Sequence, residues 1–284
     1  MKTGLVLVNY NDYETINKFI DNVKNFGIID TIVIVDNAST DDSYQKIKKI
    51  TNEKIVLLKN ESNLGYASGI NVGSRYLIKK FGKCNIIVSN ADIEIYSEDD
   101  IKKLLKDLNK SKSTAVCAPI IKQHDGYDKG WKIPTPKKDA ILNIVYIHRF
   151  LRPKLLGYSE NYYNKELVNV EQVSGCFFLI KSEALEMIDY LDEGTFLYYE
   201  ENIMGTKLKN KNLKTIIDTK VEVFHNHSIT IDKSVKKINK YKILKKSQLY
   251  FHKKYNDANL FDIIFLTLTN KLTLFILYIV YFIK

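Results

Sequence analysis

An α/β fold, with a mostly parallel central sheet flanked by helices and a helical C-terminal extension, is what this sequence predicts. Three observations carry the expectation. Short branched-apolar runs alternate with segments of helical period through residues 1–118. The polar residues of that stretch gather just after the apolar runs, where ligands collect in an open parallel sheet. Residues 231–284 then abandon the alternation for a lysine-rich stretch and an apolar tail.

Residues 5–8 read as the first strand. Asn11-Asp12-Tyr13-Glu14 resembles a capping box; Ile16, Phe19, Ile20 and Val23 follow at helical spacing, and Gly27 stops the helix. Residues 31–35 form a second strand, 43–50 a short helix, 55–58 a third strand, 66–81 a helix closed by Gly82, and 86–89 a fourth strand. A helix over 97–109 and a strand over 114–118 complete an alternation that places helices on both faces of a sheet. Residues 119–168, with Trp131, Pro134 and Pro136, read only as loops and short helices. Order returns in a strand over 170–180 interrupted by a glycine turn, then an aromatic strand at 196–199, a helix reaching Lys209, and a strand over 221–224 that runs into His225-Asn226-His227. Residues 233–254 are expected to be helical, and the uninterrupted apolar run 272–283 is shorter than the ~20 residues of a spanning helix.

At 284 residues and 45% hydrophobic content the chain has ample material for a core. Its formal net charge is +10, carried almost wholly by lysine; the arginines are Arg75, Arg149 and Arg152. A basic balance invites phosphorylated ligands, anionic lipid or nucleic acid. Base and phosphate readers lean on the planar fork of arginine, so the expectation is no nucleic-acid partner. Cys84, Cys117 and Cys176 are odd in number and embedded in apolar runs, as small buried residues of a reducing compartment are. The first apolar run is too short for a signal peptide, so the chain is expected to be cytoplasmic.

The strand ends carry the candidate chemistry, each residue with a plainer alternative. Asp92, after the strand in IIVSNADIE, is costly unless paired; it is either a ligand for a divalent cation or a cap near Ser97. Asp36, in VDNASTDD, either accepts from a nucleoside or closes an Asx turn. The glycines of NLGYASGINVG open a helix N-terminus to phosphate, without matching a Walker or dinucleotide fingerprint. Glu200 and Glu201 are either a general base and its neighbour or acids placed at a helix N-terminus. His225 and His227, two apart on an extended chain, could face a metal or be structural.

Taken in order, VNYN, VDNASTD, NLGYASGINVG, SNADI, SGCFFLIK, FLYYEENIMGTKL and VFHNHSIT resemble the inverting family 2 glycosyltransferases, particularly the rhamnosyltransferase-like branch, over residues 4–255. The resemblance implies a GT-A fold: a catalytic domain over 1–230, with a nucleotide-binding half at 1–118 and an acceptor-binding, catalytic half at 119–230, followed by a basic helical region and apolar tail at 231–284. It implies a UDP- or dTDP-sugar donor held by Asn9, Tyr10, Asn11, Asp36, Asn63, Gly65, Asn90 and Asp92. A divalent metal, Mn2+ or Mg2+, would be held by Asp92, the last position of the D-x-D motif that here reads Asn90-Ala91-Asp92, and by His225. Glu201 would be the catalytic base in place of the usual aspartate of a Glu-Asp pair, with Glu200 beside it; Ile203 stands where another acid is common.

Transfer of rhamnose, a hexose or galactofuranose to a glycan or lipid-linked glycan acceptor in bacterial surface polysaccharide synthesis, such as capsule assembly, is the function this implies. The lysine-rich helix and apolar tail are expected to meet the inner face of the plasma membrane, the alternatives being packing on the catalytic domain or a homodimer. A nucleotidyltransferase would need a basic glycine loop, which VNYNDYET lacks. The competing class is a catalytically inactive GT-A scaffold of a polysaccharide assembly complex.

Overall fold

The computed structural model describes residues 1–144, 148–226 and 237–283, and His227 lies outside them. Strand β1 (Lys2–Asn9) is followed by α1 (Tyr13–Val23), β2 (Thr31–Asp36), α2 (Ser43–Lys48), β3 (Ile55–Lys59), α3 (Tyr66–Phe81) and β4 (Cys84–Ser89). These four strands are parallel in the order β3-β2-β1-β4. Every residue of β2 and β4 is buried, as strands covered on both faces must be. Asp12 precedes α1 without a side-chain cap bond, so the expected capping box is not formed. Asn9 Oδ1 and Ser43 Oγ instead accept from the amides of Asp12 and Tyr13, at 3.3 and 3.2 Å.

Helix α3 lies against β1 with no side chain between them at two points. A β-carbon on Gly69 would meet Val8 Cγ2 at 2.7 Å, and one on Gly73 would meet Val6 Cγ1 at 2.5 Å. Farther along, Leu77 fills the space that Gly4 leaves open. The pairing runs backwards along β1, so the helix N-terminus reaches the strand's polar end. That packing sets Gly65 and Tyr66 beside the polar end of β2, where Asn37 bonds the Gly65 carbonyl.

Beyond β4 the sheet becomes mixed. It contains β5 (Ile93–Ile95), β6 (Thr114–Gln123), β7 (Gly126–Asp128), β8 (Leu167–Val170), β9 (Phe177–Lys181) and β10 (Lys214–His225). The order continues β4-β9-β6-β10-β5, and β9 runs antiparallel to both neighbours. The single strand expected over 170–180 is thus two, β8 on β10 and β9 on β4, separated at Ser174-Gly175. Strand β10 is much longer than the run 221–224, since Lys214–Asp218 also pair with β6 ahead of a register shift that precedes Glu222. Helix α4 (Glu98–Asn109) is capped by Ser97, whose Oγ accepts from the Asp100 amide at 3.2 Å.

The stretch that looked irregular contains α5 (Pro136–Leu142), α6 (His148–Leu156) and a 3-10 turn (Glu160–Asn164). Helices α7 (Ser182–Met187) and α8 (Glu200–Asn210) frame residues 196–199, which are not a strand. Tyr198 and Tyr199 have φ of 73° and 71°, left-handed values that no strand accommodates. The chain ends in α9 (Lys237–Tyr255) and α10 (Leu260–Ile283). Over Leu260–Ile279, α10 is long and apolar enough to cross a membrane, because Asn270 and Lys271 do not break the helix that begins before them.

Gly73→Val places two methyls inside the α3–β1 contact. Overpacking of this kind costs about 1–3 kcal/mol, and the expected result is a lower urea midpoint with an unchanged slope. A midpoint equal to the parent's would show that the contact can relax.

Candidate functional site

Asn9, Asn11 and Asp36 meet through one serine. Ser39 Oγ donates to Asp36 Oδ2 at 2.6 Å and accepts from Asn9 Nδ2 at 3.0 Å and the Asn11 amide at 2.9 Å. Asn9 Nδ2 also donates to Asp36 Oδ2 at 2.8 Å, and the Ser39 amide to Oδ1 at 3.0 Å. Asp36 is fully buried and closes the Asx turn. Asn11, at φ 57°, exchanges bonds with Thr40, while Tyr10 is half-buried beside them. The ends of β1 and β2 are therefore one hydrogen-bonded rim, with Asp36 as its internal acceptor.

Asn37 joins this rim to the next motif, its Nδ2 donating to the Gly65 carbonyl at 2.9 Å. Asn63 Oδ1 accepts from the Gly65 amide at 3.0 Å. Gly65 has φ of 97°, and a β-carbon there would lie 2.2 Å from the Phe196 carbonyl oxygen. The next amide, that of Tyr66, donates to that same oxygen at 3.1 Å. The first turn of α3 is thereby fastened to the turn that leads into α8.

Asp92 follows β4 and leads into β5, whose antiparallel pairing with β10 sets Ile93 opposite His225. His225 Nε2 stands 3.1 Å from Asp92 Oδ1, with both side chains about nine-tenths buried at 8% and 10% exposure. Burial works against the imidazolium. The bond to Asp92 and the contact with Cys176 overcome it and raise the His225 pKa to about 10. Asp92 does not cap α4, since Ser97 does. The Asn90 amide donates to the Cys176 carbonyl at 2.7 Å, which ties Asn90-Ala91-Asp92 to the turn before β9.

These residues fit a divalent cation bound together with a diphosphate. Asp92 and His225 offer one oxygen and one nitrogen at a common point, whereas magnesium sites take one or two carboxylates and complete the shell with substrate phosphates and water. Among the described residues no group of three or more His, Cys, Asp or Glu side chains could hold an ion unaided.

The acid pair opens α8. Glu200 is 7% exposed, and its Oε1 is buried without a hydrogen-bond partner among the described residues. Burial, with the neighbouring carboxylate second, raises its pKa well above the usual carboxylate range. Glu201 is half-buried and is also raised by burial, with the Arg152 guanidinium acting against the rise. Its Oε2 lies 3.7 Å from where a Gly175 β-carbon would stand. Tyr66 completes the cluster, donating from its hydroxyl to the Gly175 carbonyl at 3.0 Å. Burial, then Cys176, Glu200, Asp92 and Glu201, keep that phenol protonated far above its ordinary range. Gly175 and Cys176 thus stand between the acid pair and the Asp92–His225 pair.

A buried polar network backs the α8 turn. Tyr199 donates to Asp139 Oδ2 at 2.5 Å and accepts from Gln248 Nε2 at 2.9 Å. His252 Nε2 lies 2.8 Å from the same Asp139 oxygen. Gln248 reaches Asn143 Oδ1 at 3.0 Å, and Asn143 Nδ2 donates to Thr269 Oγ1 at 3.2 Å. Helices α5, α9 and α10 are joined here to the residue preceding Glu200. On the side of Glu201 toward α6, Arg152 lies 4.7 Å over the Trp131 ring.

Sequence reading singled out neither Tyr66 nor Arg152, Tyr199, Asp139 nor His252 as site residues. Tyr66 carried a signal in its place directly after Gly65; the others lie far apart in sequence and meet only through the packing of α5 and α9.

The sequence profile of the family described as Glycosyl transferase family 2 matches residues 5–188. The chain is 26% identical over 226 residues to the low-salt glycan biosynthesis hexosyltransferase Agl10 of Haloferax volcanii, covering 80% of this chain and 67% of that protein. It is 22% identical over 206 residues to the N-acetylglucosaminyl-diphospho-decaprenol L-rhamnosyltransferase of Mycobacterium tuberculosis, covering 69% and 66%. It spans about two thirds of the length of these relatives. Among solved structures, the mannosyltransferase PcManGT of Pyrobaculum calidifontis in complex with GDP-Man and Mn2+ superposes with a TM-score of 0.60 at 15% identity, covering 96% of this chain and 72% of that one. TarS 1-349 of S. aureus in complex with UDP-GlcNAc gives 0.58 at 14% identity, covering 89% and 67%. At these identities the likeness is one of fold, the GT-A fold.

Tyr199→Phe removes a hydroxyl that Asp139 and Gln248 share. Leaving buried partners unsatisfied costs about 1–3 kcal/mol, which urea unfolding should register as loss of stability. A variant as stable as the parent would show that water replaces the hydroxyl.

Proposed function

The chain belongs to glycosyl transferase family 2 and is a glycosyltransferase, and from that premise we propose that it moves a sugar from a UDP- or dTDP-sugar to an acceptor hydroxyl with inversion. The acceptor is a glycan or lipid-linked glycan of bacterial surface polysaccharide synthesis, met at the cytoplasmic face of the plasma membrane. The observation that carries the reading is the placing of the Asp92–His225 pair and the Glu200–Glu201 turn on either side of Gly175-Cys176. A donor diphosphate and an acceptor hydroxyl need such neighbouring sites, one cation-binding and one basic. Relatives that transfer hexose and rhamnose support the sugar class.

In this reading the rim of Asn9, Tyr10, Asn11 and Asp36 holds the nucleoside, and Asn63, Gly65 and Asn90 border the diphosphate. Asp92 and, once its proton is displaced, His225 would hold a divalent cation, Mn2+ or Mg2+, which would neutralise the diphosphate as leaving group. Glu201 takes the proton of the acceptor hydroxyl as its oxygen attacks the anomeric carbon in line, breaking the bond to the diphosphate. Burial keeps the affinity of Glu201 for that proton high and Arg152 limits the effect, while Glu201 in turn raises the proton affinity of Glu200 beside it. Trp131 offers an aromatic face to the acceptor side.

Titration with UDP and dTDP by calorimetry tests the donor site: binding should strengthen with manganese, and Asp92→Ala should abolish the metal's contribution. Nucleotide binding indifferent to metal in the parent would remove Asp92 and His225 from the role. Glu201→Gln should bind donor normally and lose about 10²–10⁴ in kcat; undiminished turnover would reassign the base.

A base must be ionised, so turnover is present above the raised carboxyl pKa and is lost as pH falls through it. Arg152→Gln removes the cation that opposes the rise at Glu201 and should move that acid limb of kcat/KM to higher pH. A limb that stays in place would separate Arg152 from the base.

A further inference from the structure

Helix α10 carries its polarity the wrong way round for a helix on a soluble surface. Such a helix turns its apolar stripe inward and its polar face to water. Here Thr269, Asn270 and Thr273 are buried with Leu266 against α5 and α9, and they hydrogen-bond to Gln248 and to Asn143. The outward side presents Phe261 (80% exposed), Leu268 (60%) and Phe275 (62%), with Ile264, Leu272 and Ile279 between them. A helix so fastened by its polar side cannot be wrapped by lipid all round. It can lie along a bilayer surface with its outer side immersed.

Between α9 and α10 is a cavity of about 250 Å³. Its wall carries Lys242, Lys245, Lys246 and Lys271 and, among the described residues, no carboxylate. Lys245 donates to Asn143 Oδ1, and the charge of Asp139 acts on it. Lys242 lies 5.8 Å over the Tyr278 ring. Burial lowers the Lys245 pKa to about 8, a cost that an entering anion would offset. Lys271 joins the cavity to the apolar side, because Ile264, Leu268 and Phe275 stand seven and three residues before it and four after, on the same flank of the helix.

We infer that this lysine-walled cavity binds the phosphate of an anionic membrane lipid while the outer side of α10 takes the place of neighbouring acyl chains. Charge and shape both select that occupant: a second protein chain would have to match an apolar strip and four lysines at once, whereas an anionic leaflet offers phosphate and hydrocarbon side by side. The inference rests on the membrane-face reading of the function and adds to it the headgroup site. It also makes the lysines more than a diffuse positive field.

Vesicle co-sedimentation of the full chain tests it, using phosphatidylcholine vesicles with and without phosphatidylglycerol. Three proteins besides the parent are compared: Lys242→Gln/Lys246→Gln/Lys271→Gln in the cavity, Lys18→Gln/Lys49→Gln/Lys112→Gln as an equal change of charge on exposed lysines elsewhere, and Leu268→Ser/Phe275→Ser on the apolar side. The cavity variant should bind phosphatidylglycerol vesicles about tenfold or more weakly than the remote variant, and phosphatidylcholine vesicles like the parent. The apolar variant should lose both. Equal losses in the two lysine variants would overturn the headgroup site while leaving membrane docking standing. A parent that sediments with neither vesicle would overturn the docking itself, whatever the donor-binding experiment shows.

Discussion

Everything in the site depends on where the first turn of α3 is held. The glycines at 69 and 73 let the helix settle onto Val8 and Val6, and the amide of Tyr66 finds the Phe196 carbonyl where Gly65 has no side chain to obstruct it. One short segment is thus fixed from both sides. The rim at the ends of β1 and β2 reaches it through Asn37, and the acid pair is four residues beyond the carbonyl it bonds. Any movement of α3 along β1 would alter the spacing between the Asn9–Asp36 rim and the Glu200–Glu201 turn. Small residues at these points are therefore a geometric requirement of the cleft as well as of the core.

The second consequence is electrostatic. Packing Glu200, Glu201, Tyr66, Asp92 and His225 around Gly175-Cys176 removes water from several ionisable groups together. The arrangement resolves the repulsion by dividing labour. Asp92 is compensated by the imidazole, Tyr66 remains a neutral donor to a carbonyl, and the acid pair is left with raised proton affinity. Low dielectric strengthens each of these interactions and makes each unpaired atom costly, as the bare Glu200 Oε1 illustrates. A carboxyl pair kept in this state suits proton removal from a hydroxyl better than an acid stabilised by salt bridges would.

The first half of this architecture was legible in the sequence because its signals are local. Residues 66–81 show helical period and a glycine at each end, and the structure has Tyr66–Phe81 as a helix. The antiparallel half was not legible. Strand β9 enters the sheet between β4 and β6, so its partners are remote, and β5 is three residues long. Aromatic residues at 196–199 mimic a strand, yet left-handed tyrosines make them a turn that aims Glu200 and Glu201. The order of the motifs located the acids; the Tyr199–Asp139–His252 network that supports them links α8 to α5 and α9 across gaps no periodicity reports.

That network changes what the C-terminal helices are for. Had α9 and α10 been an anchor alone, apolar contacts would have been enough to hold them to the body. Their inner faces instead carry Gln248, His252, Thr269, Asn270 and Thr273, bonded to one another and to Asp139, Asn143 and Tyr199. Polar networks are geometrically exacting, because each member must keep its partners or lose their full value. The helices are consequently held in one orientation relative to the Glu200–Glu201 turn, and the apolar side of α10 faces outward as a result of the same bonds. A single set of buried polar contacts thus sets both the position of Tyr199 beside Glu200 and the direction in which the apolar surface points.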